Sequence, residues 1–196
     1  MPDRQARRAA LPRGKRSLVA ASHVMAAIAA AAAAWASPAS GTAFLSVDGI
    51  AGESTDERHK GQSELLGYDL PIVAPPSSTT GNSRGKVSCP SVTLLKGFDA
   101  ASLVLAKKLA QGVHLAQAVI TLQRGGVDTS DYYIIRMREI MVTEVTQSSS
   151  ADLSRVVERI VLAPRRWDFE YKPQTSTGDG GGVVKFGWDC VTTEIN

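Results

Sequence analysis

Cysteine, histidine and aromatic side chains are all scarce in this chain of 196 residues, which holds 2 Cys, 3 His and 6% Phe, Trp and Tyr. Two cysteines exclude a small disulfide-dense scaffold. The 17 Gly carry no collagen-like period, and 43% hydrophobic residues exclude a wholly disordered chain. Of the histidines, His23 lies in the N-terminal segment. His59 and His114 stand far apart, with no cysteine or carboxylate at ligand spacing, so no metal site is expected. His59, within Asp56-Glu57-Arg58-His59-Lys60, reads as a solvated loop residue, and His114 as a surface residue opening a strand. The patterns G-x-S-x-G, H-E-x-x-H and the phosphate loop are missing. The run Gly178-Asp179-Gly180-Gly181-Gly182 precedes a strand, whereas a phosphate cradle needs a following helix, so it reads as a hairpin connection. The composition thus predicts no enzyme and no cofactor. A hydrolase using the acids of 48–57 (Asp48, Glu53, Asp56, Glu57), with Glu64 nearby, is the weakest alternative; solvated loop carboxylates are the plainer reading.

The formal charge of +3 is unevenly placed. Arg4, Arg7, Arg8, Arg13, Lys15 and Arg16, against the single acid Asp3, crowd the first 36 positions. The rest of the chain is about −2, which gives no electrostatic reason to bind nucleic acid. After the basic stretch comes an uncharged, alanine-rich run from Ser17 to Ala36, then the small residues Ser37-Pro38-Ala39. A positive end, an apolar middle and the A-x-A site Ala34-Trp35-Ala36 predict a signal peptide over 1–36 and an exported domain over 37–196, periplasmic or extracellular. A permanent anchor is the alternative, with membrane contact through 17–36 alone. It is disfavoured because alanine contributes little transfer energy.

Beyond Gly41 the hydrophobic period is two. Strands are predicted at 42–48, 62–70, 86–95, 114–124, 132–146, 166–172 and 183–191. Apolar residues at even positions (Val156, Ile160, Leu162) precede odd ones (Trp167, Phe169, Tyr171), so a bulge or bend is predicted at Ala163–Arg165. In 132–146 the odd positions Tyr133, Ile135, Met137, Met141 and Val145 are taken as the apolar face. In the last strand Val184, Phe186, Trp188 and Cys190 share one face. Residues 71–86, rich in Pro, Ser, Thr, Gly and Asn, read as a long exposed loop. One segment differs. Asp99 to Gln111 reads as a helix, with Asp99 as N-cap, Gly112 as terminator and Leu103, Ala106 and Ala110 on its apolar stripe. The fold class is mainly β, an antiparallel barrel or sandwich with one helix. Cys89 and Cys190 either form a disulfide or remain two small buried thiols; spacing alone leaves both open.

Six strings, in order, resemble the haemolysin-coregulated protein (Hcp) family, the tube protein of type VI secretion. They are Phe44-Leu45-Ser46-Val47-Asp48-Gly49-Ile50-Ala51-Gly52-Glu53-Ser54; Arg58-His59-Lys60-Gly61-Gln62 with Glu64-Leu65-Leu66; Gly85-Lys86-Val87; Tyr133-Ile134-Ile135 with Val142-Thr143-Glu144-Val145; Phe169-Glu170-Tyr171-Lys172-Pro173-Gln174; and Val184-Lys185-Phe186-Gly187-Trp188-Asp189. The resemblance implies an Hcp-like β-barrel with one short flanking helix. It also implies self-association into a homo-hexameric ring, rings stacked into a tube, and secreted effectors or secretion-machine components as partners. It gives the loop a ring-stacking role, with Pro75, Pro76, Ser77, Thr79, Asn82 and Arg84 as its candidate contacts. Ile140 and Val142, on the less apolar face of their predicted strand, are candidate ring-interface residues. A monomeric secreted binding module on the same barrel is the alternative.

Overall fold

The computed structural model describes residues 41–74, 88–126, 129–149, 154–174, 181–192 and 194–195. The predicted signal segment and the loop residues Pro75, Pro76, Ser77, Thr79, Asn82 and Arg84 lie outside them. Seven strands and a helix follow in order: β1 (Thr42–Val47), β2 (Ser63–Asp69), β3 (Val92–Gly97), α1 (Ala100–Gln111), β4 (Leu115–Gln123), β5 (Asp131–Ser149), β6 (Val156–Tyr171) and β7 (Val184–Asp189). A strand is found wherever the period-two reading placed one, although the inward phase shifts within β4, β5 and β6. β3 starts later than predicted, at Val92 rather than at 86. Pro90, just before it, has no N–H to give to a ladder.

All neighbouring strands are antiparallel, in the order β3-β2-β1-β4-β5-β6-β7, and β3 also pairs with β6. That last pairing closes β1 to β6 into a six-stranded barrel. The long strand β6 serves two neighbours on one edge: β3 along Val157–Leu162 and β7 along Arg166–Tyr171. So β7 is an appendage of the barrel wall rather than part of the closed circuit.

The predicted break in β6 is real. Pro164 and Trp167 are buried, while Arg165 and Arg166 between them both face out. β5 makes the same change opposite, which its sequence does not announce. Ile135 and Met137 point inward, then Ile140 and Val142 do. Glu139, between them, has a left-handed backbone (φ 52°). The consequence corrects the sequence reading. Ile140 is 0% exposed and Val142 sits beside it in the core, so neither side chain is available to a neighbouring protomer.

Two inward positions are charged. Lys96 on β3 and Glu158 on β6 are register partners across the closing seam, and both are 0% exposed. Lys96 Nζ donates to Glu158 Oε2 (3.1 Å), Asp99 Oδ1 (2.7 Å), Ser102 Oγ (3.0 Å) and the Gly97 carbonyl (2.7 Å). Gln147 on β5 donates to the other Glu158 oxygen (2.7 Å), and Ser102 Oγ donates to Oε2. A buried charge is tolerated only when paired and fully hydrogen-bonded, as here. The network also fixes the helix. Asp99 caps α1 by accepting from Ala101 N, while Ser102 Oγ accepts from Asp99 N, which completes a capping box. Burial pushes the Asp99 carboxyl up, but the hydrogen bond and charge of Lys96 outweigh it and hold the group below its ordinary value. Gly112 ends α1 in the left-handed conformation (φ 61°). The buried stripe of α1 runs through Ala101, Ser102 and Leu105, not through Leu103, which is exposed. The network turns Ser102 inward, and Leu103 must follow it outward.

Cys89 and Cys190 form a disulfide, with Cα atoms 5.4 Å apart and 101 positions apart in sequence. It joins the residues before β3 to the end of β7.

The seam gives a sharp expectation. Lys96→Met leaves Glu158 buried without its cation and is expected to cost about 3–5 kcal/mol in urea unfolding. Adding Glu158→Leu recovers most of that loss. A single variant within about 0.5 kcal/mol of the wild type would show that the seam does not depend on the pair.

Candidate functional site

The acids near the first turn shape a loop through hydrogen bonds of their own. Asp56 Oδ1 accepts from the backbone N–H groups of Arg58 (2.9 Å) and His59 (3.0 Å), and Ser54 Oγ donates to Glu64 Oε1 (3.0 Å). Gly52 N donates to the Gly61 carbonyl (2.7 Å), and a side chain at Gly52 would collide with the backbone at Gln62 and Ser63. Asp48, Glu53, Glu57 and Glu64 are exposed. Among the described residues no three His, Cys, Asp or Glu side chains converge to hold a metal.

His59 differs from its sequence reading. It is 4% exposed, stacked on Phe44 with ring centroids 4.2 Å apart, and its Nε2 lies 2.9 Å from Asp131 Oδ1. It clamps the 51–62 loop to the start of β5. The Arg58 guanidinium adds a hydrogen bond to the Thr129 carbonyl (2.7 Å). No local pattern reveals this, because Asp131 is 72 positions away. His114 is exposed, as expected, and Trp167 and Trp188 are core residues.

What the surface offers is contact area. On one side Leu66 (65% exposed), Leu95 and Phe98 (45% exposed) form an apolar patch beside a groove of about 290 Å³ lined by Glu53, Ser54, Glu64, Leu66, Gly97, Phe98 and Asp99. Leu66 and Leu95 stand in the outward phase of β2 and β3, and an apolar residue in an outward phase is the signal that was overlooked. The second patch is the β7 edge, where Val184 (60% exposed) is the register partner of Tyr171 (43% exposed), and Phe186 lies two residues on. The sequence placed Val184 and Phe186 on one face of β7 with Trp188. They are uncovered because β7 lies outside the closed barrel; only Trp188 is buried, and Phe186 is held on one side by its stack on Phe169. The first patch is rimmed by acids. Lys185 alternates to the other face of β7, where it and Lys172 pair with Glu170.

Between the strands β5, β6 and β7 the outer face is a mosaic of opposite charges. Arg136 bonds Glu170 (3.2 Å), Arg138 pairs with Asp168 (3.1 Å), and Arg166 bonds Asp189 (2.8 Å). Glu170 is held below its usual range: partial burial opposes this, but Arg136, Lys185 and Lys172 outweigh it. Asp189 is held down by the N–H groups of Val191 and Thr192 and then by Arg166.

A model of the family described as type VI secretion system effector, Hcp, matches residues 44–171. The chain belongs to the Hcp family. Protein hcp1 of Pseudomonas aeruginosa is 28% identical over 150 residues, which cover 74% of this chain and 93% of that protein. Among solved structures, a type six secretion system protein superposes with a TM-score of 0.74 at 26% identity, covering 80% of this chain and all of the other. Hcp1 from Salmonella typhimurium gives 0.64 at 25% identity, with 80% and 99% covered. The antiparallel barrel with one helix is thus the Hcp fold.

The clamp is testable on this Hcp barrel. His59→Ala removes the stack and leaves Asp131 without its partner, and is expected to cost about 2–3 kcal/mol. Trypsin should then cut faster at Arg58 and Lys60. Unchanged stability and cleavage would show that the clamp does not hold the loop.

Proposed function

We propose that this Hcp protein works as a tube component: copies join head to tail into a hexameric ring, rings stack, and secreted effectors occupy the lumen. The observation that carries the reading is the pair of unlike apolar patches. One, acid-rimmed, lies at Leu66, Leu95 and Phe98; the other lies at Val184, Phe186 and Tyr171 on the exposed β7 edge. A ring joint is heterologous, so each protomer must offer two different surfaces that fit one another. Ile140 and Val142 have no part in the joint, being core residues. The ion-paired face of β5, β6 and β7 suits a lumen wall. Its cations are held in ion pairs with Glu170, Asp168 and Asp189 rather than left free to grip cargo. The 71–86 loop, with Pro75, Pro76, Ser77, Thr79, Asn82 and Arg84, is assigned to contact between rings.

Export is part of the proposal. The basic-then-alanine N-terminus reads as a signal for it. A disulfide between Cys89 and Cys190 belongs to an oxidising compartment.

Mixing single-site variants tests the joint. Leu66→Asp spoils one patch and Val184→Asp the other, so each variant alone should sediment as a monomer. Mixed in equal amounts, they keep one intact joint between them and should form a dimer that grows no further. Either variant remaining fully assembled, or the mixture staying monomeric where the wild type assembles, would refute the head-to-tail assignment. Monomeric wild type would favour the binding-module reading instead.

A further inference from the structure

We propose that the Cys89–Cys190 disulfide is a thiol–disulfide exchange site that latches β7 to the barrel, so that the redox state decides whether the β7 edge is ordered. The inference needs no ring; it rests on how β7 is held. The circuit β1-β2-β3-β6-β5-β4 closes through the β3–β6 pairing without β7, so the barrel does not require the disulfide for closure. β7, in contrast, has six register pairs with β6 and no second strand beside it among the described residues. Among the described residues its open edge is touched near the end, where Asp189 N donates to the Glu194 carbonyl (3.0 Å) and Trp188 bridges to Ile195. A strand paired on one side opens at low free-energy cost unless something else ties it down.

The disulfide is that tie. Cys190 follows the last residue of β7, and its N–H donates to the Arg165 carbonyl (2.9 Å). Cys89 stands three residues before β3, and its sulfur lies 3.1 Å from the Pro164 carbonyl oxygen. The bond therefore sits over the β6 bend and fastens the end of β7 to the entry of β3, an element inside the closed circuit.

The two cysteines are unequally exposed. Cys89 is exposed and Cys190 half-buried. An incoming thiolate attacks the Cys89 sulfur and forms a mixed disulfide there, while Cys190 leaves as the thiolate and takes up a proton. A second thiol from the same reductant then displaces Cys89 as its thiolate, so the net reaction consumes two thiols, yields one disulfide and leaves two protein thiols. The reverse, with a small disulfide as oxidant, sets the latch. The partner class is a dithiol–disulfide oxidoreductase or a low-molecular-weight thiol pair.

Hydrogen exchange on the full chain, with dithiothreitol and then with oxidised glutathione, tests this. By the alternation of antiparallel bonds the amides of Phe186 and Trp188 point toward β6, in phase with that of Cys190. Reduction should speed their exchange at least tenfold, leave Ile120 and Ile135 in β4 and β5 unchanged, and be reversed by reoxidation. In the double variant Cys89→Ser with Cys190→Ser, β7 should exchange fast with no response to dithiothreitol. Unchanged β7 exchange on reduction would overturn the latch. So would equal acceleration across β4, β5 and β7, which would make the disulfide a global staple.

Discussion

The fold depends on one seam. A six-stranded antiparallel barrel has no edges only if its first and last strands pair, and here β3 and β6 do so with Lys96 opposite Glu158 at the core face. Placing two full charges inside a barrel is costly, and the cost is offset by saturating them: four acceptors around Lys96 and donors on both oxygens of Glu158. The same atoms cap α1 through Asp99 and Ser102 and reach β5 through Gln147. One cluster therefore aligns the seam, the helix start and the longest strand. A slip of β3 by one residue would turn Lys96 out and Leu95 in, and break all of these contacts at once.

The elements were legible in the sequence because period-two alternation is strong wherever one face of a strand is buried. The helix was legible because Asp99 and Gly112 are cap residues, and the β6 bend because Trp167, Phe169 and Tyr171 are out of phase with Ile160 and Leu162. What escaped detection depends on tertiary partners. The bend in β5 turns on the backbone of Glu139, and no apolar pattern marks it. Missing that bend put Ile140 and Val142 on the wrong face. His59 looked solvated because its partner Asp131 is remote in sequence. The seam did leave a trace: Lys96 is in phase with Val92 and Leu94, and Glu158 with Ile160 and Leu162. Charged residues in the inward phase of two strands are a pair waiting to be found.

The surface follows from the closure. Because the barrel is complete without β7, that strand lies outside it and exposes Val184 and Phe186, which an inward-facing strand would bury. The outward Leu66 and Leu95 of β2 and β3 find no cover among the described residues. Two unlike uncovered patches, on an Hcp barrel, are what a head-to-tail ring requires. The β7 patch is also the one that the disulfide steadies.

The most direct test of the ring is the mass of the oxidised wild-type protein by light scattering after size exclusion, over a wide range of concentrations. A ring joined through these two patches gives the mass of a hexamer, stable to dilution. A mass of one protomer at every concentration would contradict the account.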